Sequence, residues 1–192
     1  MARPISEIDL TEVLHYTETI NGKVQTVAYW PIRKDADGVV LLRENTLDKA
    51  YKMNTTNDAT YINCLVDSLL NDETSGYLSY FDEKMRACII PSSIKIKPYN
   101  SDVVTEIARK AYLLSESEVT NGGVEGESIL PMLKVHSGQT DDNNARKAYN
   151  SAGVASSWWL LSAVSAEQFR RVLTIGNVYS SDAILEVSIR PV

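Results

Sequence analysis

Histidine and cysteine are nearly absent from this 192-residue chain, with two of each. His15 and His136 are far apart, and neither sits at a metal-ligand spacing, so both read as surface residues. Cys64 and Cys88 also lack zinc-type spacing. They fit a reducing compartment, and their apolar, helical surroundings predict buried free thiols. No H-E-x-x-H, P-loop, G-x-G-x-x-G or G-x-S-x-G occurs, which removes the reactions those motifs support. Ser137 follows His136, but nothing marks the third group that a nucleophile and base need. Asp35-Ala36-Asp37-Gly38 begins like a calcium loop, yet its twelfth position is Thr46, where that loop needs Glu, so it reads as a turn. No catalytic residue, metal ligand or cofactor is assigned, and the chain is expected not to be an enzyme.

Positive charge is also short, with 19 Lys and Arg against 25 Asp and Glu and a net charge of -6. A nucleic-acid surface needs a basic stripe, and the small clusters Lys95/Lys97 and Arg170/Arg171 read as solvated faces. No nucleic-acid partner is expected. No apolar run reaches membrane-spanning length, so no membrane insertion is expected. The first residues lack the apolar core of a signal peptide. The reading is synthesis in a cytoplasm, with exit only inside an assembled particle or by lysis.

What is present suits one packed domain: 44% hydrophobic and 23% charged residues. Residues 1–20 read as an N-terminal arm or lead-in element and residues 21–192 as the domain. Asn21-Gly22 is a turn signal that would pair residues 13–20 with a strand at 24–32 ending at Pro31. Residues 39–43 read as a buried strand with Leu41 in the core. Tyr61, Leu65 and Leu69 recur every four residues and predict a helix capped by Asn57 or Thr60. Tyr77, Phe81 and Met85 predict a second, stopped by Pro91. Leu65 and Phe81 are assigned to the core.

Ile94 and Ile96 alternate with lysines as in a half-exposed strand. Residues 102–110 read as one or two helical turns, 111–115 as a strand and 131–150 as a long loop. Strands are expected at 157–162, 168–175 and 183–190, with turn chemistry at Gly176-Asn177 and at 180–182. Trp158 and Trp159 are two of only three tryptophans. As strand neighbours they point to opposite faces, and both are assigned to the structural core.

Several of these segments also form an ordered pattern. Residues 40–43 (Val-Leu-Leu-Arg), 61–71, 112–115 (Tyr-Leu-Leu-Ser), 146–149 (Arg-Lys-Ala-Tyr), 158–162 (Trp-Trp-Leu-Leu-Ser) and 189–191 (Ile-Arg-Pro) follow one another along the chain. The succession resembles a domain of unknown function widespread in Gram-positive gut bacteria and their phages. Its signatures run W-L-L-R, S-x-[IL]-x-x-[WY]-L-N, F-L-L-S, R-x-A-Y, W-W-L-R-S and G-V-R-P. Leu161 stands where that pattern has arginine, Ala163 where it has proline and Ser188 where it has glycine. The double tryptophan and closing Arg-Pro are in turn similar to C-type-lectin-like domains, including the formylglycine-generating-enzyme branch and phage tropism determinants.

The resemblance implies an α+β, C-type-lectin-like fold: two helices packed with small antiparallel sheets and long loops. The oxidase chemistry of the formylglycine branch needs a late cysteine pair or metal histidines, and both cysteines here lie early. The implied function is therefore a non-enzymatic phage virion protein, a decoration, collar or fibre module located in the virion. Its partners would be other virion proteins, further copies of itself (a trimer by analogy) and a host-surface carbohydrate. The alternative is a bacterial ligand-binding or cell-surface module. Ligand contacts are expected from the loops beside the late strands, at Asp141, Asp142, Asn143, Tyr179 and Asp182. Their carboxylates and amides suit sugar hydroxyls, and the phenol could stack on a sugar face.

Overall fold

A hairpin opens the fold because two residues can take left-handed backbone angles. Asn21 and Gly22 sit at φ 52° and 74°, a two-residue turn whose twist matches that of antiparallel strands. It joins β1 (Leu14–Ile20) to β2 (Lys23–Lys34) with Ile20 opposite Lys23. The computed structural model describes residues 7–120, 123, 125–133 and 143–192. β2 does not stop at Pro31. It runs on to Lys34, and the register against β3 (Val39–Arg43) slips between Pro31 and Arg33. A bulge there absorbs the missing proline N–H. Leu41 is half-buried against the core, between the buried Val40 and Leu42.

The two expected helices are shorter and start later. Asn63 takes φ 62°, which interrupts any helix running through Tyr61. α1 is Leu65–Asn71, and neither Asn57 nor Thr60 caps it: the Cys64 thiol accepts the Asp67 N–H. Val66 and Leu70 form its buried stripe, and Leu65 is 45% exposed, so its core assignment is corrected. The second pattern breaks at Asp82, which caps α2 (Glu83–Cys88) by accepting from Met85 N–H, after a 3-10 turn at Tyr77–Tyr80. Phe81 stays buried between them. Cys88 ends the short helix and is exposed, so it is not the buried thiol expected.

Residues 102–110 are no helix. β5 (Thr105–Arg109) pairs with β4 (Ser92–Ile96), placing Ile107 opposite Ile94. Residues 111–115 join no strand ladder, and α3 (Glu116–Val119) follows behind a Ser115/Glu118 capping box. A small hairpin of β6 (Ala148–Tyr149) and β7 (Ala155–Ser156) leads to the second three-stranded sheet. That sheet holds β8 (Trp158–Ala163), β9 (Gln168–Val172) and β10 (Val178–Asp182) in the order β10-β9-β8. The last strand is thus 178–182, not 183–190. The turn lies at 173–177, closed by Leu173 N–H to Asn177 O at 2.8 Å.

The chain's last residues are central without being a strand. Tyr51 and Val187 exchange backbone bonds, Leu47 N–H donates to Ile189 O, Arg43 N–H to Pro191 O and Trp159 N–H to Ser188 O. Tyr112 and Val192 also exchange both bonds. The C-terminal segment therefore bridges the first sheet's exit, the 111–115 segment and β8. Trp158 and Trp159 are both fully buried beside it, and each indole N–H reaches a backbone carbonyl, that of Arg146 at 3.1 Å and of Tyr51 at 2.9 Å. The whole is a mixed α+β structure, mostly β, built of small antiparallel sheets.

Candidate functional site

Two arginines of the ordered pattern, Arg43 and Arg190, act inside the fold. Arg43 is 4% exposed and donates through Nε and Nη2 to the fully buried Glu18 carboxylate at 2.9 and 3.0 Å. Its Nη1 reaches the carbonyls of Asn45 and Thr46. The Tyr29 hydroxyl donates to Glu18 and meets the Tyr77 hydroxyl at 2.7 Å. Burial pushes the Tyr29 phenol far up, aided by Tyr77 and Glu18, so it stays a neutral donor. Arg190 lies over the Trp158 ring at 5.4 Å and donates to Arg43 O. Burial pulls its pKa down to about 10, against the charge of Glu44.

Of the expected ligand residues, Asp141 and Asp142 lie outside the described residues, as does His136. Asn143 is half-buried and its amide donates to Asn177 Oδ1. Gly176 makes that approach feasible. Its φ is 89°, and a Cβ there would sit 2.0 Å from Asn143 O. Gly176→Ala is therefore expected to part the two turns and cost about 1–3 kcal/mol; a urea titration with an unchanged midpoint would contradict the contact. Tyr179 is 61% exposed on β10. Asp182 accepts from Gln168 Nε2 at 2.8 Å. Three positions apart on one strand, Tyr179 and Asp182 point to opposite faces. The structure thus joins Asn143 to Asn177 but does not gather Tyr179 and Asp182 on one surface.

A groove that sequence reading missed lies elsewhere. Its volume is about 370 Å³, with residues 57–62 forming one wall, 96–100 the other, and the buried Leu161, the half-buried Ala163 and the exposed Ala166 completing the lining. The first wall is held by the Asp58 carboxylate, which accepts from Thr60 N–H and hydroxyl at 3.0 and 2.8 Å. Ala59 N–H ties it to Ala166 O at 2.9 Å. The second wall is the end of the β4–β5 hairpin, turned by Ser101 N–H to Pro98 O, with Lys97 Nζ 3.4 Å from Asp102. Tyr99, Asn57 and Asn100 are exposed at the rim, and Leu161 is buried. The only local signal was turn chemistry, Asn-Asp at 57–58 and Pro-Tyr-Asn at 98–100.

A third feature is electrostatic. Glu118 is buried; its Oε2 accepts Ser115 N–H at 2.9 Å, while Oε1 has no hydrogen-bond partner among the described residues. Oε1 is 3.7 Å from Arg33 Nη1. Burial, then the charge of Glu127, push Glu118 up to about 7. The folded chain thus keeps a proton that the unfolded chain releases above its ordinary carboxylate range. Stability from this group is full at pH 4.5 and lost as pH rises to about 7, on the order of 2–3 kcal/mol. The melting temperature should therefore fall between pH 5 and pH 8. Glu118→Gln should flatten that profile; an identical slope in the variant would assign it elsewhere.

Residues 36–192 match the profile of a domain of unknown function, DUF6273. The chain belongs to this family. No curated protein and no solved structure matches it. The DUF6273 region begins in the turn before β3, so the whole β1–β2 hairpin precedes it. Arg43, within that region, thus takes its carboxylate partner Glu18 from outside it. Leu161, at the position where the resembling signature has arginine, puts an apolar side chain in the lining of the groove of this DUF6273 domain.

Proposed function

We propose that this DUF6273 domain is a non-enzymatic binding module of a phage particle, C-type-lectin-like in fold, that contacts other virion proteins and a host-surface glycan. The observation that carries the reading is the groove. It offers a phenol and two amides on its rim above an apolar floor, the mixture that small-ligand sites use for orientation and affinity. The paired charges support it from the other side. Glu18 with Arg43, Asp67 with Arg109 and Glu116 with Arg170 pair with one another and join separate elements. The lectin-like reading of the fold is supported by the tryptophan-bearing β8 and the C-terminal segment meeting in the core, with loops left outside.

Assembly would use another surface. β10 is an edge strand bearing the exposed Tyr179, and free edges accept further strands or neighbours. A homo-oligomer, a trimer on the family resemblance, would multiply weak sites through avidity. The test is binding of purified protein to intact Gram-positive cells. Tyr99→Ala/Asn100→Ala is expected to abolish it, while Asn143→Ala/Tyr179→Ala/Asp182→Ala leaves it intact. Wild-type protein that binds no cells and is missing from purified particles would refute the reading.

A further inference from the structure

We propose that the groove selects an N-acetylated hexosamine, with the acetamido methyl over Leu161 and Ala163 and one face of the sugar against Tyr99; this rests on the glycan reading above. The floor decides the ligand class. Of the lining residues, the buried Leu161 and Ile96 and the half-buried Ala163 carry no hydrogen-bonding side-chain atom, and the buried Tyr61 hydroxyl already accepts from Leu113 N–H. A plain hexose seated there would strand a hydroxyl without a partner, which is costly. An acetamido group instead presents a methyl, whose removal from water is favourable. Alanine at 163 leaves room that a larger side chain would fill.

The rim completes the match. The side-chain amides of Asn57 and Asn100 are exposed and take part in no hydrogen bond among the described residues. Each can serve a ring hydroxyl or the acetamido N–H and carbonyl. One oxygen of the exposed Asp58 carboxylate accepts both Thr60 donors, and Lys97 lies beside Asp102, so the remaining charge on the first wall disfavours an anionic ligand. Tyr99 is 50% exposed at the rim, a flat apolar surface with a polar end. A volume of about 370 Å³ suits a single sugar unit. A purely aliphatic ligand would fill the floor but leave both amides to water.

The probes are tri-N-acetylchitotriose and cellotriose, which share a backbone and differ in the acetamido groups. Both are titrated into ¹⁵N-labelled full-length protein and followed by amide chemical shifts. Chitotriose is expected to shift the amides of Asn57, Asn100, Ala163 and Ala166 and to bind about tenfold more tightly than cellotriose. Tyr99→Ala, at an exposed position, should keep the wild-type melting temperature and weaken chitotriose at least about tenfold. Ala163→Leu should abolish binding by filling the floor. Equal affinity for the two sugars, or shifts confined to residues 177–182, overturns the proposal. If Tyr99→Ala abolishes cell binding but chitotriose does not bind, the ligand class is wrong and the binding-module reading survives. If wild type binds neither cells nor chitotriose, both fail.

Discussion

Trp159→Ala is expected to give insoluble protein or to lower the melting temperature by roughly 6–20 °C. The indole is fully buried, and its N–H donates to Tyr51 O at 2.9 Å. That carbonyl segment is itself paired with Val187, so the ring sits where the C-terminal segment meets the 43–51 stretch. Truncation removes apolar contact, opens a cavity between elements distant in sequence and takes from Tyr51 O one of its two donors, leaving only Val187 N–H. Together these reach about 3–5 kcal/mol when the site cannot collapse. Trp158→Ala should cost as much, because it also strips the ring from under Arg190 and frees Arg146 O. Calorimetry on both variants decides; wild-type melting in either would remove that ring from the core.

The second large effect is electrostatic. Glu18→Ala leaves Arg43 buried without its carboxylate and deprives the Tyr29 hydroxyl of its acceptor. Removing one partner of a buried pair typically costs about 3–5 kcal/mol, since the remaining charge cannot reach water. Glu18→Leu with Arg43→Met should be milder than the sum of the two single changes. Recovery should be partial, because the carbonyls of Asn45 and Thr46 lose the Arg43 Nη1 donor. Urea unfolding of the two singles and the double measures the coupling. Strict additivity would mean that the pair does not tie β1 to β3.

Where local chemistry decides structure, the sequence was legible. Asn21-Gly22 dictates its turn by backbone freedom, and the adjacent tryptophans demand a core. Elsewhere longer-range contacts override the pattern. Residues 183–190 contain buried apolar positions at Ala183, Val187 and Ile189, as a strand would, but the backbone partners change along the segment, from Asn54 and Glu167 at Ala183 to Tyr51 at Val187, Trp159 of β8 at Ser188 and Leu47 at Ile189, so no continuous ladder forms. β10 is hidden by its polar Ser-Ser-Asp run, which an edge strand tolerates and a turn favours alike. The spacing from Tyr61 to Leu69 is helical, yet Asn63 at φ 62° resets the phase and turns Leu65 outward. The groove left the faintest trace, because its first wall is fixed by a contact distant in sequence, Ala59 N–H to Ala166 O. Its polar residues look like any turn until the hairpin at 96–100 is folded beside them.

Hydrogen–deuterium exchange in the presence of whole Gram-positive cells tests the central claim most directly, since it reads every segment at once. Exchange should slow in residues 57–62 and 96–100, the two walls of the groove, and stay unchanged in 177–182. Protection confined to 177–182, or none in either wall while the protein is cell-bound, would contradict the assignment of the groove as the binding surface.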